Sequence, residues 1–274
     1  MVTTATNTRA KRPTHSVTST RIVLRVEYDG TCYHGFQLQT ELPTIQEEIE
    51  KGLRKLTGEC IRVLAASRTD TGVHARGQVV SFKTSSSLHT RTFISGLNYH
   101  LPTDIAIKAA YRLDDSFDVR RNATSREYRY HILNSPTRSP LADGYSYQVG
   151  GKLNIKAMNI AGQKLIGKHD FASFATCIND NQLKKTVRNI YRVSTRIAGE
   201  LAIFEMEANS FLPHQVRNTI GTLIRVGLEK MSLDEFCSII EAHKPGLAGP
   251  TAPAKGLYLT RVNYAHTFAE GCHD

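Results

Sequence analysis

Two hydrophobic periods alternate along this chain, and the alternation limits it to a mixed α+β fold. Ile22, Leu24, Val26 and Tyr28 fall at every second residue among Arg21, Arg25 and Glu27, the pattern of a half-buried strand. Asp29-Gly30 breaks it. Ile45, Ile49, Leu53 and Leu56 then mark one face of a helix, with Thr44 and Glu47 as a capping box and Gly58 as the stop. A short strand over 61–65, a strand over 78–82, a helix near 91–99 and a strand near 105–111 follow. The mixture then recurs: strand 126–133, helix 155–166, and a hairpin of 186–196 with 201–208 around Gly199. A helix over 212–229, with Val216, Ile220, Leu223 and Ile224 on one side, precedes a second capping box, Ser232 with Glu235. Its helix runs to about Ala242, a Pro/Gly loop spans 243–254, and a strand over 256–264 closes the series.

Element order predicts two related lobes sharing sheets, residues 21–140 and 141–274, divided in the loop between Asn134 and Gly151. Residues 1–20 are rich in Ser and Thr and contain no acid, which predicts a disordered basic tail. An organellar transit peptide is the alternative, without amphipathic periodicity to support it.

With 274 residues, 40% of them hydrophobic, the chain can bury a core without disulfides or metals. Its net charge of +10 points to an anionic partner, nucleic acid being the commonest. Cys32, Cys60, Cys177, Cys237 and Cys272 form no CxxC pair, which argues against a zinc site or a disulfide framework and for a reducing compartment. No HExxH spacing, Walker A loop, GxGxxG or GxSxG occurs, so metalloprotease, nucleotide and hydrolase readings lose their usual support. No run has the length of a membrane span and no signal core precedes a cleavage site, so a soluble cytosolic protein is expected.

Three segments could carry chemistry. The polar loop Ser67-Arg68-Thr69-Asp70-Thr71-Gly72 lies between two strands. An Asp in such a turn usually bonds nearby amides, but a carboxylate fixed at a strand end and facing a cleft is placed as nucleophile or base. In Arg126-Glu127-Tyr128-Arg129-Tyr130 the tyrosines point one way and Glu127 and Arg129 the other. They read as core aromatics flanked by solvated charges, or as a platform for an unpaired base. In Phe211-Leu212-Pro213-His214-Gln215-Val216-Arg217-Asn218 a strand ends and a helix begins, with Pro213 tolerated in the first turn and Arg217 near the second. An Arg there is usually at the surface, but facing a carboxylate it would keep that acid ionised and oriented.

Taken in order, these segments resemble the bacterial tRNA pseudouridine synthase A family over about residues 21–264. Tyr28-Asp29-Gly30-Thr31 with Gly35-Phe36-Gln37 is similar to the family's opening signature, and Arg68 to Ala75 to its catalytic loop. Ser125 to Tyr130 resembles its tyrosine strand, and Gly167 to Phe171 a later loop. Phe211 to Asn218 with Gly221 and Gly227 resembles its last active-site helix, and Ala252-Pro253 with Gly256 to Leu259 its closing strand. Phe36, Ser67 and Pro213 stand where the family commonly has Trp, Gly and other residues.

The resemblance implies two lobes like RNA-recognition-motif or ferredoxin-like units, sharing a mixed, mostly antiparallel sheet with a central cleft. It implies isomerisation of uridine to pseudouridine at positions 38, 39 and 40 of the tRNA anticodon stem-loop, without a cofactor or metal, by a homodimer. Asp70 would be the catalytic carboxylate and nucleophile, and Arg217 would pair with it. Tyr128 would stack on the target base and assist proton removal, Arg68 would help extract the uridine, and Phe211 and Leu212 would contact it. Two rivals are a non-catalytic RNA-binding protein on the same scaffold and a synthase for a different RNA. A third, a base deaminase, needs Cys/His zinc spacing that this chain lacks. His74 and Arg76 read as structural or phosphate-contacting residues, and Cys32 and His34 as packing or surface residues.

Overall fold

A computed structural model describes residues 19–176, 186–265 and 268. The expected basic tail thus falls outside the described residues except for its last two, and Thr20 already opens the first strand. The elements run β1 (Thr20–Tyr28), α1 (Ile45–Thr57), β2 (Leu64–Ala65), β3 (His74–Thr84), α2 (Thr90–His100), β4 (Ile105–Leu113) and β5 (Ala123–Leu133). They continue with β6 (Tyr147–Gln148), α3 (Ile155–Gln163), β7 (Gly167–Asp170), β8 (Val187–Ala198), β9 (Leu201–Ala208), α4 (Gln215–Gly227), α5 (Leu233–Ala242) and β10 (Leu257–Tyr264).

These strands join one sheet in the order β4-β1-β3-β10-β5-β9-β8-β7, with β2 added to β3 and β6 to β5. Pairing is antiparallel except for β10 with β3 and β6 with β5. The sheet is therefore mixed and mostly antiparallel, as expected. Its registers align Ile105, Tyr28, Ala75, Leu259, Tyr128, Met206 and Val193 in a row across one face. Helices cover both ends of that face. Phe82, opposite Ile22, meets Phe93 of α2 with ring centroids 5.7 Å apart, and Leu97 of α2 packs near Gly52 of α1. At the other end Val193 lies under Gly162 of α3, which packs through Met158 on Gly227 of α4. A cleft is left between the two helix groups, floored by Tyr128 and Leu257.

The opposite face is polar and held by cross-strand charge. Arg129 pairs with Glu205 at 2.6 Å. Glu127 and Glu207 oppose each other in register, and Arg192 and the Asn263 amide reach both, offsetting their repulsion. The charges flanking Tyr128 and Tyr130 are thus networked rather than simply solvated. His131 lies among them, 4.6 Å from the Tyr258 ring, and burial followed by Arg76 and Arg129 lowers its pKa to about 4.

Several local expectations are corrected. The strand over 61–65 shrinks to Leu64–Ala65, because the Val63 N–H donates to Glu50 Oε1 at 3.0 Å instead of to a ladder. The strand over 78–82 extends to His74–Thr84, since a central strand has partners on both sides. The helix over 155–166 ends at Gln163. Only half of the first capping box forms. Thr44 accepts from Glu47 N–H, while the Glu47 carboxylate pairs with Lys51 at 2.9 Å. The second box, at Ser232 and Glu235, is complete. The helix over 212–229 is shorter, Gln215–Gly227, so Pro213 precedes it and Arg217 falls in its first turn. His214 causes this: it takes a left-handed φ of 58° and separates Pro213 from the helix. α4 is also buried on nearly every side, Asn218, Thr219 and Thr222 included. Among the described residues no helix is long and apolar enough to cross a membrane.

Gly221 marks where the loop after α5 crosses α4, because a Cβ there would meet Pro250 O at 1.6 Å. Gly221→Ala should cost at least about 2–3 kcal/mol of stability in urea denaturation, although Ala is the better helix former; an unchanged midpoint would refute the close packing. For His131, the unfolded chain binds a proton below its ordinary pKa of about 6.5 that the folded protein refuses until about pH 4. Stability should therefore fall as pH drops through that window. The half-exposed ring limits the loss to roughly 1 kcal/mol, and His131→Gln should abolish that part of the slope.

Candidate active site

The loop after β2 re-enters the sheet as β3, so its residues stand at the mouth of a central strand. Residues 28–36 hold it from behind. Phe36 N–H donates to Thr69 O at 3.1 Å, Gly72 N–H to Tyr33 O at 3.3 Å, and Gly30 N–H to His74 Nδ1 at 3.1 Å. Tyr28 and Thr69 hydroxyls bond at 2.7 Å. Gly35 is required where this backing comes closest: its φ is +87°, and a Cβ would meet Thr69 O at 2.7 Å. The opening signature and the polar loop are two halves of one rigid turn.

That turn projects Asp70 into the cleft with its side chain 36% exposed. From the first turn of α4, Arg217 Nη1 comes within 3.4 Å of Asp70 Oδ2. Arg217 is itself fixed, its Nε–H donating to Ala252 O at 2.8 Å while Ala252 N–H donates to Arg217 O at 3.1 Å. The Ala252-Pro253 motif thereby earns its place beside the site: Pro253 O accepts from the buried Tyr130 hydroxyl at 2.8 Å.

Tyr128 enters from β5. Its hydroxyl lies 3.1 Å from Ser67 Oγ, and its ring meets Phe211 edge-on with centroids 5.2 Å apart. Burial pushes its phenol up to about 12, a Ser67 hydrogen bond opposes this and the Asp70 charge adds to it, so Tyr128 is a neutral phenol at working pH. Beneath it Arg126 is almost fully buried. Its guanidinium donates to the carbonyls of Ala66, Arg120, Ala123 and Asn209, and burial lowers its pKa. Carbonyls satisfy its donors without cancelling its charge, so the cleft floor is positive.

Asp70, Arg68, Tyr128, Phe211, Leu212 and Arg217 all line one cavity of about 370 Å³. Leu212 is buried as an apolar wall, Phe211 is half-buried, and Arg68 is exposed at the rim. The six residues to which the resemblance gives site roles are thus brought together. Sequence reading gave no role to Ser67, Arg126 or His214, whose Nε2 lies 3.5 Å from Asp70 Oδ2.

A single carboxylate beside a guanidinium, with a neutral phenol and an aromatic edge in one cavity of a mixed α+β sheet, has the make-up of an enzyme cleft. The chain belongs to the tRNA pseudouridine synthase family, whose sequence model matches residues 25–120 and 161–265. The tRNA pseudouridine synthase A of Pseudoalteromonas atlantica is 40% identical over 91% of this chain and 94% of its own length. That of Acetivibrio thermocellus is 42% identical over 89% and 99%. A solved chain of the archaeal box H/ACA sRNP Nop10-Cbf5 complex covers 74% of this chain and 44% of its own, at 11% identity and a TM-score of 0.30, too low to carry weight.

Gly35 and Gly58 both have positive φ, but only Gly35 has backbone in the space a Cβ would take. Gly58→Ala should cost about 1 kcal/mol for conformation alone. Gly35→Ala should cost about 2–4 kcal/mol, because the Thr69 carbonyl must also move. Equal shifts of the urea midpoint for the two variants would contradict the rigid turn.

Proposed function

We propose that this chain isomerises uridine to pseudouridine in the anticodon stem-loop of tRNA, with Asp70 as its catalytic carboxylate. One observation carries the reading. Asp70 and Arg217, 147 residues apart in the chain, meet at 3.4 Å inside a cavity that also holds Tyr128 and Phe211. Family membership and the names of the relatives supply the reaction.

The chemistry is a balanced isomerisation. The bond between uracil N1 and the ribose breaks, the base turns, and ribose rejoins at C5. The hydrogen on C5 leaves to solvent and N1 takes up a proton, so no oxidant or co-reactant is consumed. Asp70 supplies a carboxylate oxygen at the reacting centre, with Arg217 holding its orientation. Tyr128 presents a ring to the base and, as a neutral phenol, a proton carrier. Phe211 and Leu212 form the apolar wall, and Arg68 at the rim fills the space the uridine leaves.

The net charge of +10 supports tRNA as the polyanionic partner, with phosphate contacts that weaken as salt rises. We assign the protein further to the cytoplasm, to a homodimer holding tRNA across both subunits, and to two lobes, residues 21–140 and 141–274.

The test is tritium release from an unmodified anticodon stem-loop tRNA labelled at uridine C5. Wild type should release tritium, and Asp70→Asn should release none while still binding tRNA. Release by Asp70→Asn would remove that residue from the chemistry. Absence of release by wild type would leave the scaffold as an RNA binder or direct it to a different RNA.

A further inference from the structure

We propose that His214 is a second positioning residue for Asp70, and that with Arg217 it holds Oδ2 so that Oδ1 is the oxygen presented to the substrate. This rests on the synthase reading and deepens it. Three independent observations place the imidazole in that role.

The first is geometry. His214 Nε2 lies 3.5 Å from Asp70 Oδ2, and Arg217 Nη1 lies 3.4 Å from the same oxygen. Both groups therefore make the contact recorded for them to the same oxygen of the carboxylate. A carboxylate restrained through one oxygen keeps the other free and fixes its lone pairs in direction.

The second is the partner behind the ring. The Thr176 hydroxyl hydrogen-bonds His214 Nδ1. When that hydroxyl donates, the neutral imidazole carries its proton on Nε2, the nitrogen that faces Asp70. A donor on one side and a carboxylate on the other fix both the tautomer and the plane of the ring. Thr176 is itself tied back by its N–H donating to Pro213 O at 3.5 Å.

The third is the backbone. His214 has φ 58° and ψ 1°, the left-handed region that a side-chain-bearing residue enters at a cost of about 1–2 kcal/mol. Glycine adopts that conformation freely, so the fold alone does not call for a histidine. The conformation turns the residue out of line with α4 while Gln215 Oε1 accepts from Leu212 N–H at 2.8 Å to close the same turn. The imidazole is thereby set at the cleft wall beside the helix start, with its side chain 33% exposed.

The glycine argument supplies the experiment. His214→Gly keeps the backbone and should leave the melting temperature at or above wild type, whereas kcat for tritium release should fall about 10- to 100-fold with KM for tRNA within about threefold. Added imidazole should restore part of the lost turnover, and His214→Asn, which tolerates the conformation and offers an amide donor, should fall between the two. Thr176→Val leaves the His214 backbone untouched and should lower kcat in the same direction by freeing the tautomer. Wild-type kcat in His214→Gly, or a change confined to KM, overturns the proposal. If His214→Gly does not fold, Thr176→Val decides, and unchanged turnover there overturns it equally. The wild-type control in the same assay separates the two readings: no release by wild type refutes the synthase reading, while release with unaffected variants refutes only the role of His214.

Discussion

The pairing of β10 on both sides sets where everything else in the site can be. This strand, near the end of the chain, is parallel to β3 through Tyr258 opposite His74 and Leu259 opposite Ala75. On its other edge it is antiparallel to β5, with Leu259 opposite Tyr128. One residue, Leu259, therefore fixes the distance between the strand that leaves the Asp70 loop and the strand that carries Tyr128. The parallel contact is short and gains little by itself, whereas the β5 side runs nearly the full strand. The first half of the chain is thus clamped to the second by a strand that cannot pair until residues 257–264 are in place. Such non-local pairing is slow to form, since loop-closure entropy precedes the reward.

Once the sheet is closed, electrostatics organises the cleft. Arg126 lies under the floor with carbonyl partners, Arg217 stands in the wall, and Asp70 is the acid between them. A buried guanidinium stripped of water is expensive unless its donors are satisfied, and the four carbonyl acceptors of Arg126 meet that demand without neutralising it. The resulting positive ground attracts approaching phosphates. Tyr128 is the counterpart. Its burial keeps it neutral, so the phenol adds no negative charge to the cleft.

Much of this was legible in the sequence because the site is assembled from short rigid pieces with their own signals. The Asp70 loop is flanked by turn residues, Tyr128 and Tyr130 keep strand parity, and Arg217 follows a strand-to-helix junction. What was not legible depends on tertiary context. Arg126 reads as a solvated charge until β9 and the 120–123 segment supply carbonyls around it. Val63 carries a strand pattern, but Glu50 of α1 captures its N–H. α4 looks amphipathic, yet its polar residues are buried because Thr219 and Thr222 bond back into the helix and Asn218 reaches Phe174 O. The left-handed turn at His214 has no glycine or asparagine to announce it, and so the sequence pattern starts the helix three residues before Gln215.

The size of the cavity constrains how RNA can be used. About 370 Å³ sits at the lower end of small-molecule pockets, with room for one nucleoside. A uridine can reach Asp70 only by leaving its neighbours, which costs a few kcal/mol and least in a loop or at a helix end. The cleft is equipped to offset that cost at its two levels. Deep inside, Phe211 and Leu212 give the cleft an apolar wall, and the Ser67 and Tyr128 hydroxyls lie together beside it. At the rim Arg68 is exposed, and the chain's net charge of +10 favours phosphates over other partners. Selection among uridines is then a property of how easily each one leaves its stack while its backbone stays docked, which places specificity in the shape and flexibility of the RNA more than in contacts to neighbouring bases.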